Sequence, residues 1–215
     1  AKVSGVGTVA VSHSTHYGSS AVHARLALEQ ECIGIAMTNA GPEMAPWGGA
    51  TGVLGTNPWS IAAPTGGDFP VVMDIALTTA GKGMMRWFVR EGRKMPRDWA
   101  LTPDGLETDD PAAAMQGALL GIGQHKGYGL SIMVTLFGAV LGSLGHQDTS
   151  MDTQKNGSSI VVIDIAKNAP IDHIKELVGN IVEYVKDTPP MEGSRGVLYP
   201  GEIEATNRRQ RSKDG

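Results

Sequence analysis

Short runs of β-branched and apolar residues, separated by turn residues, predict five strands, over residues 7–12, 33–38, 59–63, 71–75 and 159–163. The third and fourth runs are joined by a turn rich in glycine and proline, so we expect them to be antiparallel neighbours. A sheet is therefore the central element of the prediction.

Apolar residues at intervals of three and four predict four helices, over residues 20–31, 77–90, 128–141 and 174–185. The third of these is apolar around most of its circumference, which indicates a largely buried helix. Strands and helices alternate unevenly, and no repeat or linker divides the chain. The pattern predicts an α/β fold, a mixed β-sheet flanked by helices.

Composition and charge narrow the possible partners. The chain of 215 residues is 41% hydrophobic and 19% charged, as in folded proteins, and its net charge of −4 leaves no basic surplus for nucleic acid. It contains no apolar run long enough to cross a membrane, and we expect neither a nucleic-acid nor a membrane partner. A single cysteine, Cys32, favours a reducing compartment, so a cytoplasmic location is expected.

Three familiar kinds of site fit poorly. The motif Gly5-Val6-Gly7-Thr8-Val9-Ala10 matches a dinucleotide fingerprint but precedes a strand instead of following one. His13, His16 and His23 lie close together, yet cysteines or carboxylates at metal-site spacing are missing, so no metal is expected. The chain also lacks the Gly-x-Ser-x-Gly motif of serine hydrolases.

Three polar residues remain as candidates. His16 lies between a strand and a helix, where imidazole can exchange a proton with a ligand, or can simply bond to backbone. Lys126 lies at the start of an apolar helix, where free amide groups and flanking glycines favour an anion such as a phosphate, although it could equally be a surface lysine. Asp74 ends an apolar strand and either binds a ligand or caps the following helix.

A series of short segments, spread along the whole chain, resembles in residues and in sequence order the malate/L-lactate dehydrogenase family. The segments are His16-Tyr17-Gly18, Met37-Thr38-Asn39, Met44-Ala45-Pro46-Trp47-Gly48-Gly49, Leu54-Gly55-Thr56-Asn57-Pro58, Asp74-Ile75-Ala76, Trp99-Ala100-Leu101, Lys126-Gly127-Tyr128-Gly129-Leu130 and Tyr199-Pro200-Gly201-Glu202. The resemblance implies a non-Rossmann, sulfolactate dehydrogenase-like fold. It also implies a homodimer that uses NAD or NADP to move hydride between nicotinamide and a small 2-hydroxy or 2-oxo acid.

The resemblance also implies roles for particular residues. His16 matches the histidine assigned as proton acceptor in ureidoglycolate dehydrogenase. Cofactor contacts are implied for Asp74, Ile75, Ala76, His125, Lys126, Pro200, Gly201 and Glu202, and Thr56 is expected to face substrate. Residues 1–190 would then form the core that binds cofactor and substrate. Residues 191–215 would form a late cofactor loop and the start of a helical segment.

The chain departs from the family pattern at several places. We expect a flanking N-terminal region to be missing, and with it a Ser-His pair that is credited with catalysis in several members. Leu77-Thr78 replaces the usual Thr-Ser, and Ala40 replaces a Ser or Thr that could bond to the cofactor. Two further functions stay open: an NADPH-dependent reductase of cyclic imines such as piperideine- or pyrroline-carboxylate, and an inactive paralogue that binds cofactor.

Overall fold

A five-stranded sheet forms the centre of the molecule. The computed structural model describes residues 1–145, 155–194 and 196–215. The strands are β1 (Val6–Ser14), β2 (Cys32–Thr38), β3 (Trp59–Ala63), β4 (Val71–Ile75) and β5 (Asn156–Asp164). They lie in the order β1-β5-β2-β3-β4, and every pair is antiparallel. The predicted α/β architecture and all five strands are confirmed, including the pairing of β3 with β4, but within the described residues the sheet is antiparallel and not mixed.

Six α-helices occur in the described part of the chain, and α1 and α4 pack directly on the sheet. They are α1 (Ser20–Arg25), α2 (Lys82–Arg90), α3 (Pro111–Gln116), α4 (His125–Gly138), α5 (Ile171–Lys186) and α6 (Glu202–Asp214). The helix predicted over 20–31 is α1 followed by a 3-10 turn, Leu26–Gln30. Within the described residues, none of the helices is both long and apolar enough to cross a membrane.

The helix predicted over 77–90 starts later, at Lys82, so its first turn was wrongly placed. The backbone just before α2 is hydrogen-bonded to other loops and cannot form a helical turn. Leu77 N–H donates to Thr56 O (2.8 Å), and Thr79 N–H donates to Leu120 O (2.9 Å). Hydrogen bonds to other segments therefore decide the start of α2, and these cannot be seen in a periodic pattern.

The two faces of the sheet pack on different helices. Ala36 joins Ala24 of α1 in one apolar cluster, whereas its neighbour Met37 joins Val134 of α4 in another. Successive residues of a strand point to opposite faces, which accounts for this division. A methyl group at Gly34 would lie 2.1 Å from Ala24 O, so only glycine permits α1 to pack this closely on β2.

The prediction of a largely buried helix is wrong for most of α4. Its buried residues are small or medium-sized: Gly127, Ser131, Val134 and Gly138. Leu130, Met133 and Phe137 are each more than 40% exposed on the other side. Small residues let the helix approach the backbone of β2 and β5, and the large side chains are left uncovered by the described chain. The division of the chain at residue 190 stays a prediction.

Candidate functional site

His16 and Thr56 line one cavity of about 460 Å³, between the loop before α1 and the start of α2. The two residues come from distant segments, and the sheet brings them together because His16 follows β1 and Thr56 precedes β3. His16 is exposed, so its ring is open to a ligand. The residue expected to transfer a proton and the residue expected to face substrate thus share a cavity.

The His16 ring is held by its own loop. Gly18 N–H donates a hydrogen bond to Nδ1 of His16 at 3.0 Å. Nδ1 is then an acceptor, so a neutral ring carries its proton on Nε2. Gly18 has a φ of +85°, a backbone conformation that glycine adopts readily. In this arrangement His16 is a donor at Nε2.

The neighbouring Tyr17 anchors the loop to α1. Its ring stacks on His23 with centroids 4.5 Å apart, and its hydroxyl lies 2.7 Å from Ser20 Oγ. Burial raises the pKa of Tyr17, the hydrogen bond with Ser20 opposes that rise, and the charge of Asp74 adds to it. His23 therefore has a structural role here, with Nε2 3.0 Å from the carbonyl oxygen of Tyr17.

Asp74 lies at the end of β4. The sequence left open whether it binds a ligand or caps the following helix, and it does not cap that helix. Its Oδ2 accepts hydrogen bonds from Ser19 Oγ (2.5 Å) and from Ala21 N–H (2.9 Å) at the start of α1. Asp74 and Ile75 also line a second cavity, of about 640 Å³. The carboxylate thus caps a helix that lies far away in the sequence and borders a cavity as well.

The loop before α6 forms another part of the wall of this second cavity. Pro200 and Gly201 line it, and the Pro200 carbonyl accepts a hydrogen bond from Val72 N–H of β4 at 2.9 Å. Glu202 forms an ion pair with Lys186, and its Oε2 accepts a hydrogen bond from Tyr199 N–H at 3.3 Å. The structure thus brings Asp74, Ile75, Pro200 and Gly201 together. Ala76, next to Ile75, is partly buried.

His125 and Lys126 line a third cavity, of about 700 Å³, at the start of α4. The free amide groups expected there are already paired: the N–H groups of Lys126, Gly127 and Tyr128 donate to Gly123, Ile122 and Gln124. A methyl group at Gly127 would lie 2.5 Å from Leu77 O, so this glycine allows α4 to pack closely against the backbone at Leu77. Among the described residues, the exposed Lys126 side chain, the His125 N–H and the helix dipole remain to attract an anion.

Several residues of the His16 cavity were missed from the sequence. Asn39, Lys82 and Arg86 all line it. Lys82 and Arg86 lie one turn apart, so their spacing would have placed them on one face had the start of α2 been known. No sequence pattern links them to Asn39.

A buried amide holds the two loops of this cavity in place. Asn57 is fully buried; its Oδ1 accepts Ala40 N–H at 3.0 Å, and its Nδ2 lies 2.8 Å from both Ser131 Oγ and Thr135 Oγ1 of α4. Asn57 therefore ties the residues around Ala40 and Thr56 to the centre of α4.

The model of the malate/L-lactate dehydrogenase family matches residues 1–215. This chain belongs to that family. It is 34% identical over 220 residues to an L-sulfolactate dehydrogenase of Methanocaldococcus jannaschii, an alignment that covers all of this chain and 63% of that relative. It is 36% identical over 141 residues to a Delta(1)-pyrroline-2-carboxylate reductase of Burkholderia ambifaria, over 66% of this chain and 42% of the relative.

The fold of this family member is likewise that of solved dehydrogenases. The structure of malate dehydrogenase from Entamoeba histolytica superposes with a TM-score of 0.91 at 27% identity, covering all of this chain and 64% of that one. The chain therefore spans less than two thirds of the length of the sulfolactate dehydrogenase and malate dehydrogenase that it resembles.

Proposed function

We propose that this protein is an NAD(P)-dependent oxidoreductase that transfers a hydride between nicotinamide and a small 2-hydroxy or 2-oxo acid, such as malate, lactate or ureidoglycolate. The observation that carries the proposal is the shared cavity of His16 and Thr56 in a chain that matches the dehydrogenase family throughout. A histidine beside a ligand-sized cavity is suited to exchange a proton with the oxygen of such an acid.

The second cavity fits the hydroxyl-rich part of a dinucleotide. Asp74 Oδ1 has no partner among the described residues, while Oδ2 is held by Ser19 and Ala21, so one oriented carboxylate oxygen is free to accept ribose hydroxyls. In the proposal Asp74, Ile75, Ala76, Pro200, Gly201 and Glu202 surround this end. His125 and Lys126 contact the cofactor from the start of α4.

The protein's own part in the reaction is to orient the acid and to handle its proton. When bound, the nicotinamide supplies the hydride acceptor or donor. With Nδ1 engaged by Gly18, the Nε2–H of the neutral His16 ring hydrogen-bonds to the carbonyl oxygen of a 2-oxo acid and polarises it for reduction. Delivering a proton to that oxygen after hydride transfer requires the doubly protonated imidazolium, whose Nδ1–H cannot accept from Gly18, so the Gly18 contact opens in this step. Accepting a proton from an alcohol at Nε2 requires the ring proton to move to Nδ1, which breaks the Gly18 contact.

A kinetic experiment on the full-length protein tests the proposal. Purified enzyme is given NADH or NADPH with a panel of 2-oxo acids, and cofactor oxidation is followed by absorbance. We expect steady turnover on at least one acid, and a loss of at least about 100-fold in kcat for His16→Ala with cofactor affinity nearly unchanged. Turnover that is unchanged by the substitution would contradict the role of His16. Cofactor binding without turnover on any acid or on the cyclic imines considered below would indicate an inactive paralogue.

A second candidate function is the reduction of cyclic imines with NADPH. It is favoured by the 36% identity to the pyrroline-2-carboxylate reductase, which is higher than the identity to the sulfolactate dehydrogenase but extends over fewer residues. The two functions differ in the bond that is reduced, C=N against C=O. Adding pyrroline-2-carboxylate and piperideine-2-carboxylate to the same panel distinguishes them, because only the true substrate class gives steady oxidation at low concentration.

The protein is further proposed to be a homodimer in the cytoplasm. The exposed apolar face of α4, continued by Val140 and Leu141, supports a dimer, because a folded monomer rarely leaves so many large apolar side chains in water. Light scattering after size-exclusion chromatography gives the mass of the full-length protein, and Met133→Glu is expected to shift a dimer to monomer. A wild-type monomer would rule the dimer out.

A further inference from the structure

The start of α2 is an open, uncapped helix N-terminus at the wall of the His16 cavity. Gly81, Lys82 and Gly83 all line that cavity. No side chain caps the helix, and no acidic residue lies in its first turn. Met84 N–H donates to Gly81 O at 2.9 Å, whereas the N–H groups of Lys82 and Gly83 have no partner in the described chain.

This helix start differs in kind from that of α4, where the sequence favoured an anion. In α4 the N–H groups of Lys126 and Gly127 donate to the preceding loop, whereas the N–H groups of Lys82 and Gly83 in α2 have no acceptor among the described residues. A methyl group at Gly81 or Gly83 would meet nothing within 4 Å, and both glycines line the cavity, so no side chain is packed against this helix start. Free amides and the positive end of the helix dipole together favour a negatively charged group.

An independent donor in the same cavity lacks a partner. Asn39 is buried, only 2% exposed, and forms part of the cavity wall. Its Oδ1 accepts Gly157 N–H at 2.7 Å, which leaves Nδ2 as a buried donor without a partner among residues 1–145, 155–194 and 196–215. A buried amide N–H is costly when unpaired, and an oxyanion in the cavity would give it an acceptor.

The charges around the cavity are positive on balance. Lys82 is 3.5 Å from Glu43, so these two charges largely offset each other. Arg86, one turn further along α2, is exposed and forms no ion pair or hydrogen bond within the described residues. Arg86 is therefore the basic group that remains available, and its planar guanidinium suits the two oxygens of a carboxylate or phosphate.

We propose that the N-terminus of α2, Arg86 and the amide of Asn39 form an oxyanion subsite in the His16 cavity. The ligand is an oxyanion carried by a small molecule, either the acid group of the substrate or a phosphate of the cofactor. Naming the substrate as the source rests on the proposed function, but the existence of the subsite does not. Its position beside His16 would fix which end of an acid faces the imidazole.

Inorganic phosphate tests the subsite without any need for activity. Full-length protein labelled with [15N]glycine is titrated with phosphate at constant ionic strength, and the Gly81 and Gly83 amide signals are followed by NMR. We expect a saturable shift that Arg86→Gln weakens by about tenfold, the usual scale of one charge-assisted hydrogen bond. Arg90→Gln, at the far end of the same helix, is the matched control and should titrate like wild type. A missing shift, or equal titrations of both variants, overturns the subsite.

Two further measurements on the same variants identify the source of the oxyanion. A tenfold rise in KM for the acid in Arg86→Gln, with an unchanged Kd for NADH or NADPH, assigns the subsite to the substrate. A rise in cofactor Kd with unchanged KM assigns it to a cofactor phosphate. If neither changes, the proposal fails for both sources. If the enzyme is inactive on every acid, the proposed function fails, while the phosphate titration still decides whether the subsite exists.

Discussion

Gly18 N–H donates a hydrogen bond to Nδ1 of His16 at a distance of 3.0 Å, and this contact fixes which ring nitrogen carries the proton. With Nδ1 as acceptor, the neutral imidazole is a donor at Nε2. The nearby stack of Tyr17 on His23 holds the rest of the loop against α1. The loop thus orients the imidazole before any ligand binds.

The donor role of Nε2 predicts different outcomes for two isosteric substitutions. The side-chain amide nitrogen of glutamine can occupy the position of Nε2, whereas that of asparagine is nearer to the position of Nδ1. We expect His16→Gln to retain about tenfold more kcat in the reduction of a 2-oxo acid than His16→Asn, because it preserves a donor to the substrate oxygen. Equal kcat values in the two variants would show that the Nε2 donor is not used.

Asp74 is predicted to stabilise the start of α1 as well as to border the cofactor cavity. Asp74→Ala removes the acceptor of Ser19 Oγ and Ala21 N–H, and we expect it to lower the free energy of unfolding by about 1 kcal/mol, as for other helix caps. Urea unfolding followed by circular dichroism gives the value. Asp104→Ala, in an exposed turn, is the control and should change it far less. No difference between the two variants would contradict the capping role.

Gly127 and Gly129 form a matched pair on α4 with opposite expected effects. A methyl group at Gly127 would lie 2.5 Å from both Ile122 N and Leu77 O, so Gly127→Ala should destabilise the protein by about 2 kcal/mol or more. Gly129 has nothing within 4 Å at that position, so Gly129→Ala should stabilise by up to about 1 kcal/mol through helix propensity. Thermal unfolding of both variants measures the two signs. Similar effects of both would mean that close packing at Gly127 is unimportant.

Asn57 is predicted to be the most sensitive polar position of the core. Asn57→Ala leaves Ala40 N–H without its acceptor and removes a donor to Ser131 and Thr135, and we expect a loss of about 3 kcal/mol. Because Asn57 positions the cavity loops, KM for the acid should also rise. Asn207→Ala on exposed α6 serves as the control for unfolding by urea. A loss no larger than that of the control would exclude the network.

The lowered pKa of the Asp164 carboxyl is expected to make the stability of the protein depend on pH. Burial raises its pKa, but the hydrogen bonds from Lys2 and from Ala166 N–H outweigh burial, so the pKa lies below its ordinary value. A lowered carboxyl pKa contributes stability above the unfolded value, about 3.9, that is lost as pH falls through the folded value. Asp164→Asn should therefore lower Tm at pH 7, and the difference from wild type should shrink towards pH 3. Asp187→Asn, in an exposed position, is the control. A difference that is independent of pH would contradict this.

The sequence by itself determined the elements that depend on local patterns. All five strands follow from β-branched runs, and the antiparallel pairing of β3 with β4 follows from the short turn between them. The family was identifiable because segments similar to those of its members occur in the same order along this chain. Periodicity also placed α5, since its apolar residues repeat at three and four and stop before Pro189.

Only the tertiary structure decided which groups are free to bind something. Lys82 is the first residue of α2 and Lys126 the second of α4, and the sequence favoured Lys126. Yet the N–H groups of Lys126 and Gly127 are already paired, whereas those of Lys82 and Gly83 have no acceptor among the described residues. Asp74 turned out to cap a helix more than fifty residues earlier in the chain. The outward face of α4 likewise depends on which side chains fit against the sheet. Hydrogen bonds and close packing between distant segments decide such questions, and no local pattern records them.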